Sequence, residues 1–223
     1  MASKRAIVFS NGHWYHVFNR GIEGRPLFLT KKDYTRFLLT LQYYQYADIP
    51  LRYSYFIQLT PGVQERVMQG IMEKPKRITI SAYCCMPNHF HLLIRQNIDD
   101  GISRYISDVS NSYSKYFNTK NGRIGTLFQG IFKAVHIEGD DQMLHVSRYI
   151  HINPYVSSLC EFTSVFQYPW SSLSNYVFGK QDTLVDTTDI LSYFSEKQSY
   201  KTFITDQMSF AKKNKKMEHL LLE

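Results

Sequence analysis

Two histidines separated by one residue stand in the run Cys84-Cys85-Met86-Pro87-Asn88-His89-Phe90-His91-Leu92-Leu93-Ile94, which constrains the fold more than any other stretch. Apolar residues flank a Pro-Asn pair on both sides, the pattern of two strands joined by a turn. Successive strand side chains point to opposite faces at about 3.3 Å per residue. His89 and His91 therefore project from one face, roughly 6.6 Å apart, while Phe90 enters the opposite, core-facing layer. Two imidazoles so placed form a metal-chelating arrangement. For His-x-His alone, two half-buried strand histidines without a ligand is the simpler reading, so a third group is needed.

A second segment supplies candidates. Met143, Val146 and Ile150 recur at i, i+3 and i+7 as an apolar helix face, and His145, Tyr149 and Asn153 recur at i, i+4 and i+8 beside it. Asp140 and Asp141 open this helix and Pro154 is expected to close it. A phenol and an amide one turn apart, about 6 Å along the axis, would face the histidines if the helix packs on their sheet. Taken alone, Tyr149 is a packing residue, since the chain holds seventeen tyrosines.

The remaining elements follow the same periodicities. A first strand is expected over Trp14 to Asn19, and a helix over Lys31 to Tyr46 capped by Thr30, with Tyr34, Phe37, Leu38 and Leu41 on one face. Residues 48–76, punctuated by Pro50 and Pro61, read as an insertion with a short helix at Val63 to Met72. Strands at Ile78 to Tyr83 and His89 to Arg95, a helix at Ile102 to Phe117 and a strand at Phe132 to Ile137 complete the pattern. Strand-helix-strand-strand-helix-strand plus one helix is the ferredoxin-like split βαβ plan. The fold class is thus α+β, with an antiparallel sheet, helices on one face and a C-terminal helical or irregular extension. The division is a main domain over residues 1–156 and an extension over 157–223 that packs on it. Tyr168-Pro169-Trp170-Ser171-Ser172 reads as a docking segment, and Lys212, Lys213, Lys215 and Lys216 as a solvated basic tail.

Lys plus Arg outnumber Asp plus Glu by 26 to 19, a formal charge of +7 that favours a polyanionic partner. Aromatic residues make up 15% of the chain, most of them core by default, although exposed ones stack well on unpaired bases. Cys84, Cys85 and Cys160 have no metal-ligand spacing and are poor disulfide material. No apolar run approaches the roughly 20 residues that span a bilayer, and the first residues lack a secretory pattern. The expectation is a cytoplasmic protein without membrane association. No glycine loop for cradling phosphates is present.

A strand with His-hydrophobe-His followed by one tyrosine on a later helix resembles the HUH single-tyrosine transposases, and in particular their REP-associated branch. The resemblance is carried by Tyr15-His16-Val17-Phe18-Asn19-Arg20-Gly21, Met86 through Leu93, Tyr113 through Asn118, Gly125 through Lys133, Tyr149 through Pro154, and Tyr168 through Ser172. These motifs occur in the family's order and span roughly residues 13 to 178.

The resemblance implies that His89 and His91 bind a metal, Mg²⁺ or Mn²⁺, and that Tyr149 attacks a DNA phosphodiester to give a covalent 5′-phosphotyrosine. Many relatives have glutamine one turn after the tyrosine as a third ligand; this chain has Asn153, a replacement usual in the REP-associated branch. His145 is an alternative on geometric grounds. The implied substrate is single-stranded DNA with REP-like hairpins, nicked and rejoined. Arg20, Arg123 and Lys133, basic and adjoining family motifs, are the DNA-contact candidates. Both monomer and homodimer remain open. The rival readings are a relaxase or replication-initiator HUH nuclease, and a non-catalytic single-stranded nucleic-acid-binding protein of ferredoxin-like plan.

Overall fold

Four strands form one antiparallel sheet in the computed structural model, which describes residues 7–180, 182–195 and 197–211. They are β1 (Trp14–Arg20), β2 (Ile78–Met86), β3 (His89–Gln96) and β4 (Lys133–Ile137), in the order β2-β3-β1-β4. Helix α1 (Lys31–Tyr43) joins β1 to β2 and α4 (Gly101–Asn121) joins β3 to β4. This is the split βαβ plan.

Alternation along β1 and β3 sorts the two faces. Tyr15 and Val17 lie in one hydrophobic core with Phe90, Leu92 and Ile94, against Phe37 and Leu41 of α1 and Tyr105, Val109 and Tyr113 of α4. The two helices of the split βαβ plan therefore share one face, and Phe90 enters their layer. Helix α1 starts where its sequence stops it from fraying: the Asp33 carboxylate accepts the Thr30 N–H at 2.8 Å. It ends at Tyr43, three residues before the expected Tyr46.

The other face, which carries the histidines, is covered as well. Helix α5 (Asp140–Val156) lies against it, and residues beyond 157 complete a second core through α6 (Leu173–Phe178), α7 (Thr188–Leu191) and α8 (Lys197–Ala211). Leu173, Tyr176, Ile190, Tyr200 and Ile204 pack there with Ala82, Cys84 and Leu93 of the sheet and Met143 and Ile150 of α5. Coverage on both sides explains why all nine residues of β2 are buried instead of every other one. Residues 48–76 contain α2 (Tyr53–Phe56) and α3 (Pro61–Met72); Tyr53 and Phe56 pack on Tyr43 at the end of α1.

Pro154 does not close α5. It lies inside the last turn, and the helix continues to Val156. A proline this near the C-terminus removes one N–H from the ladder without a long downstream helix to distort.

The segment Tyr168 to Ser172 docks on the edge of β2. The Tyr168 hydroxyl donates to the Cys85 carbonyl at 2.9 Å, the Cys85 N–H donates to the Trp170 carbonyl at 2.8 Å, and the Trp170 ring stacks on Tyr34 at 4.5 Å. An edge strand with unpaired backbone groups is thereby capped. The lysine cluster at 212–216 lies outside the described residues. Among the described residues no helix is long and apolar enough to cross a membrane.

Candidate active site

The turn between β2 and β3 is only two residues, Pro87 and Asn88, since Met86 pairs with His89. Its position is held from β1's far end: Gly21 N–H donates to the Asn88 carbonyl at 2.8 Å and Leu27 N–H to the Pro87 carbonyl at 2.7 Å. Gly21 is required there, because a Cβ would stand 2.0 Å from the Arg25 carbonyl oxygen. The chain therefore folds tightly around the start of β3, where His89 stands.

Cross-strand register then assembles a row of side chains on one face. His89 lies opposite Arg20 and Met86, and His91 opposite Phe18 and Cys84; Lys133 of β4 faces Phe18 from the other side. The His89 and His91 rings stand 5.0 Å apart between centroids and nearly perpendicular, at 89°. His91 is buried, whereas His89 is half-buried.

Helix α5 brings Tyr149 and Asn153 to this row. The Tyr149 ring meets His91 edge to face, 5.5 Å between centroids, and meets His16 at 6.0 Å. The Asn153 amide nitrogen lies 3.4 Å from His91 Nε2, and Asn153 also hydrogen-bonds His89. His145, one turn earlier, is exposed and sits 2.6 Å from Arg148. Of the two residues considered beside the histidine pair, the fold thus brings Asn153 to it. Tyr155 is buried in the second core against Phe162.

One residue of the site was not singled out from sequence. His16 on β1 is 2% exposed, and its Nε2 lies 3.0 Å from His91 Nδ1. Its only sequence signal is a place in the Tyr15–Gly21 motif, on the same strand face as Phe18 and Arg20.

Burial dominates the electrostatics of these rings. It pushes His16 and His89 down to about 4 and holds His91 well below its usual value. For His89 the hydrogen bond with Asn153 opposes the shift and the Arg20 charge adds to it; for His91 the neighbouring His16 and His89 add to it. All three are neutral near pH 7 and keep a nitrogen lone pair. The unfolded chain, with histidines at 6.5, binds more protons than the native state once the pH drops below that value. The histidine contribution to stability is therefore complete above about 6.5 and lost as the pH falls toward 4. A urea titration is expected to show its midpoint falling over that window, and less steeply in a His16→Gln variant.

Of the DNA-contact candidates, Arg20 and Lys133 share the histidine face and are exposed. The Arg20 Nε donates to the Gln129 side chain, and the Gln129 N–H donates back to the Arg20 carbonyl at 2.8 Å. Arg123 belongs to the layer on the opposite face, over the Phe117 ring at the end of α4. Among the described residues no group of three or more His, Cys, Asp or Glu side chains is spaced to hold a metal ion; the donors gathered here are two imidazoles and an amide.

Comparison with known proteins places this arrangement. The family model "Transposase IS200 like" matches residues 51–153, a span that contains both histidines, the tyrosine and Asn153. No curated protein matches. Among solved structures the chain is similar to one described as a REP-associated tyrosine transposase bound to a REP hairpin. The TM-score is 0.54 at 16% identity, over 83% of this chain and 93% of that one. The family match thus spans the histidine strand and the tyrosine helix, and the fold is shared with a tyrosine transposase: residues 51–153 of this chain are similar to the IS200-like transposases.

Proposed function

We propose that this protein is a metal-dependent HUH tyrosine transposase that nicks and rejoins hairpin-bearing single-stranded DNA through Tyr149. The observation that carries the reading is the contact of the Tyr149 ring with His91, within a cluster of neutral imidazoles at the end of the sheet. The hairpin partner is supported by the ligand of the similar solved structure.

The residues fit a divalent cation. His89 Nδ1 lies 2.7 Å from the Asn88 side-chain oxygen, which accepts its proton and leaves Nε2 as a donor. His91 presents Nε2 toward Asn153, whose amide would have to turn its oxygen away from Ser157 to join the two imidazoles as a donor, and the rest of a coordination shell would fall to water and phosphate oxygens. A bound Mg²⁺ or Mn²⁺ supplies Lewis acidity to the scissile phosphate. The Tyr149 phenol oxygen forms the new bond to phosphorus as the bond to the 3′ oxygen breaks; the phenol, whose ordinary pKa is about 10, gives up its proton to solvent and the leaving 3′ oxygen takes one up, so the exchange balances. The 3′-hydroxyl so released is able to attack the phosphotyrosine in reverse, so rejoining consumes no nucleotide.

Charge suits this substrate. Arg20 ends β1 beside His89, Lys133 begins β4, and Arg25, Lys31 and Lys32 on the connection after β1 are exposed as well. Hairpin affinity is expected to fall with added salt, and Arg20→Ala or Lys133→Ala each to flatten the slope of log K against log salt by about 0.7 to 0.9. An unchanged slope removes that residue from the interface.

The test of the reading is direct: incubate the protein with hairpin-bearing single strands and Mn²⁺, and resolve covalent protein–DNA adducts on a denaturing gel. An adduct that requires Mn²⁺ supports the enzyme. Tight binding with no adduct under any divalent cation favours the binding module instead. His89→Ala is expected to abolish the adduct while leaving hairpin affinity largely intact.

A further inference from the structure

We infer that His16 is the positioning residue that sets the ring orientation and tautomer of His91. The inference rests on the proposed reading of His89 and His91 as cation donors, and His16 itself lies outside that pair.

The two residues are diagonal neighbours across the β1–β3 ladder, since Phe18 faces His91 and His16 faces Leu93. Their rings lie 5.1 Å apart at 24°, with His16 Nε2 3.0 Å from His91 Nδ1. At 2% and 6% exposure, neither nitrogen has ready access to solvent. A hydrogen bond between two imidazole nitrogens needs one proton, and the direction follows from the other side of His91. There Nε2 faces the Asn153 amide nitrogen at 3.4 Å, a group that only donates. Ser157 Oγ holds the Asn153 oxygen at 3.4 Å, which favours that amide orientation. His91 Nε2 therefore accepts, its proton sits on Nδ1, and Nδ1 donates to His16 Nε2.

His89 reaches the same state by a different device. The Asn88 side-chain oxygen accepts from its Nδ1 at 2.7 Å. Both imidazoles are thus held through Nδ1, His91 by His16 and His89 by Asn88. His16 cannot serve as a third ligand in this arrangement, because its Nε2 lies on the far nitrogen of His91. Phe18 at 5.0 Å and Tyr149 at 6.0 Å flank the His16 ring and limit its rotation.

Two measurements on the full chain test this, one of them without any metal. Long-range ¹H–¹⁵N spectra of the metal-free protein are expected to show His91 protonated at Nδ1 in the wild type, and to lose that pattern in His16→Leu. Mn²⁺ affinity, read by electron paramagnetic resonance, is expected to weaken about 10- to 100-fold in His16→Leu. It should largely recover in His16→Gln, whose terminal amide reaches the place of Nε2. Should His16→Leu fail to fold, the spectrum and affinity of His16→Gln carry the test, with loss of the Nδ1–H pattern there counting against the assignment. A wild-type His91 protonated at Nε2, or unchanged Mn²⁺ affinity in a folded His16→Leu, overturns the inference. A wild type that binds no Mn²⁺ overturns the cation reading instead, and the tautomer spectrum still decides the relation between His16 and His91.

Discussion

Replacing Tyr149 with phenylalanine is expected to abolish covalent attachment to DNA while hairpin affinity stays nearly unchanged. The substitution removes one oxygen and leaves the ring, so the edge-to-face contacts with His91 and His16 at 5.5 and 6.0 Å are kept. Without the phenol oxygen no bond to phosphorus can form, and the remaining groups only bind and orient. Phosphate contacts from residues such as Arg20 and Lys133 position DNA without depending on that oxygen. An adduct that persists in Tyr149→Phe moves the nucleophile elsewhere. Tyr155 is the first alternative to test, although its burial in the second core counts against it.

His151→Ala is expected to be the most damaging single change to stability, lowering it by about 3 to 5 kcal/mol. The ring is fully buried, with Nδ1 2.7 Å from the Tyr200 hydroxyl and Nε2 2.8 Å from Ser172 Oγ. Ser172 Oγ in turn accepts from the Tyr83 N–H at 2.9 Å. One side chain of α5 therefore ties that helix to β2 on one side and to α8 on the other. Truncation takes one partner from each of two buried hydroxyls, leaving Tyr200 with Ser147 and Ser172 with the Tyr83 backbone, at about 0.5 to 1.5 kcal/mol each, and opens a cavity that carries the larger cost. Against a typical total of about 5 to 15 kcal/mol this is severe. Denaturant unfolding monitored by circular dichroism checks it; a loss under about 1 kcal/mol would show that Tyr200 and Ser172 re-pair without the ring. Tyr149 and Asn153 flank His151 in sequence, so loosening α5 is also expected to slow adduct formation in whatever fraction stays folded.

The local record in the chain was rich. Period-two alternation placed Phe90 against α1 and α4 and His89 and His91 on the other side, and the Thr30–Asp33 cap marked the start of α1. Helical spacing put Tyr149 and Asn153 on one edge of α5, and the ordered motifs carried the resemblance to the single-tyrosine transposases. These features are legible because they depend on residues within a turn or a strand of one another. The spacing treated His145 and Asn153 alike, and proline chemistry predicted an end to α5 that lies two residues further on.

What the sequence by itself determined is the four strands and the helices α1, α3, α4 and α5, their order and the faces on which the histidines and the tyrosine stand; α2 and the helices after residue 157 were not legible in it. Tertiary structure decided which faces meet: that α5 and the residues after 157 bury the histidine side of the sheet, that Asn153 and not His145 reaches the rings, and that His16 stands behind His91. His16 and His91 are 75 residues apart in the chain, and their approach follows from strand register. Register is set by how two distant strands bury their apolar residues together, so no local pattern in either strand records it.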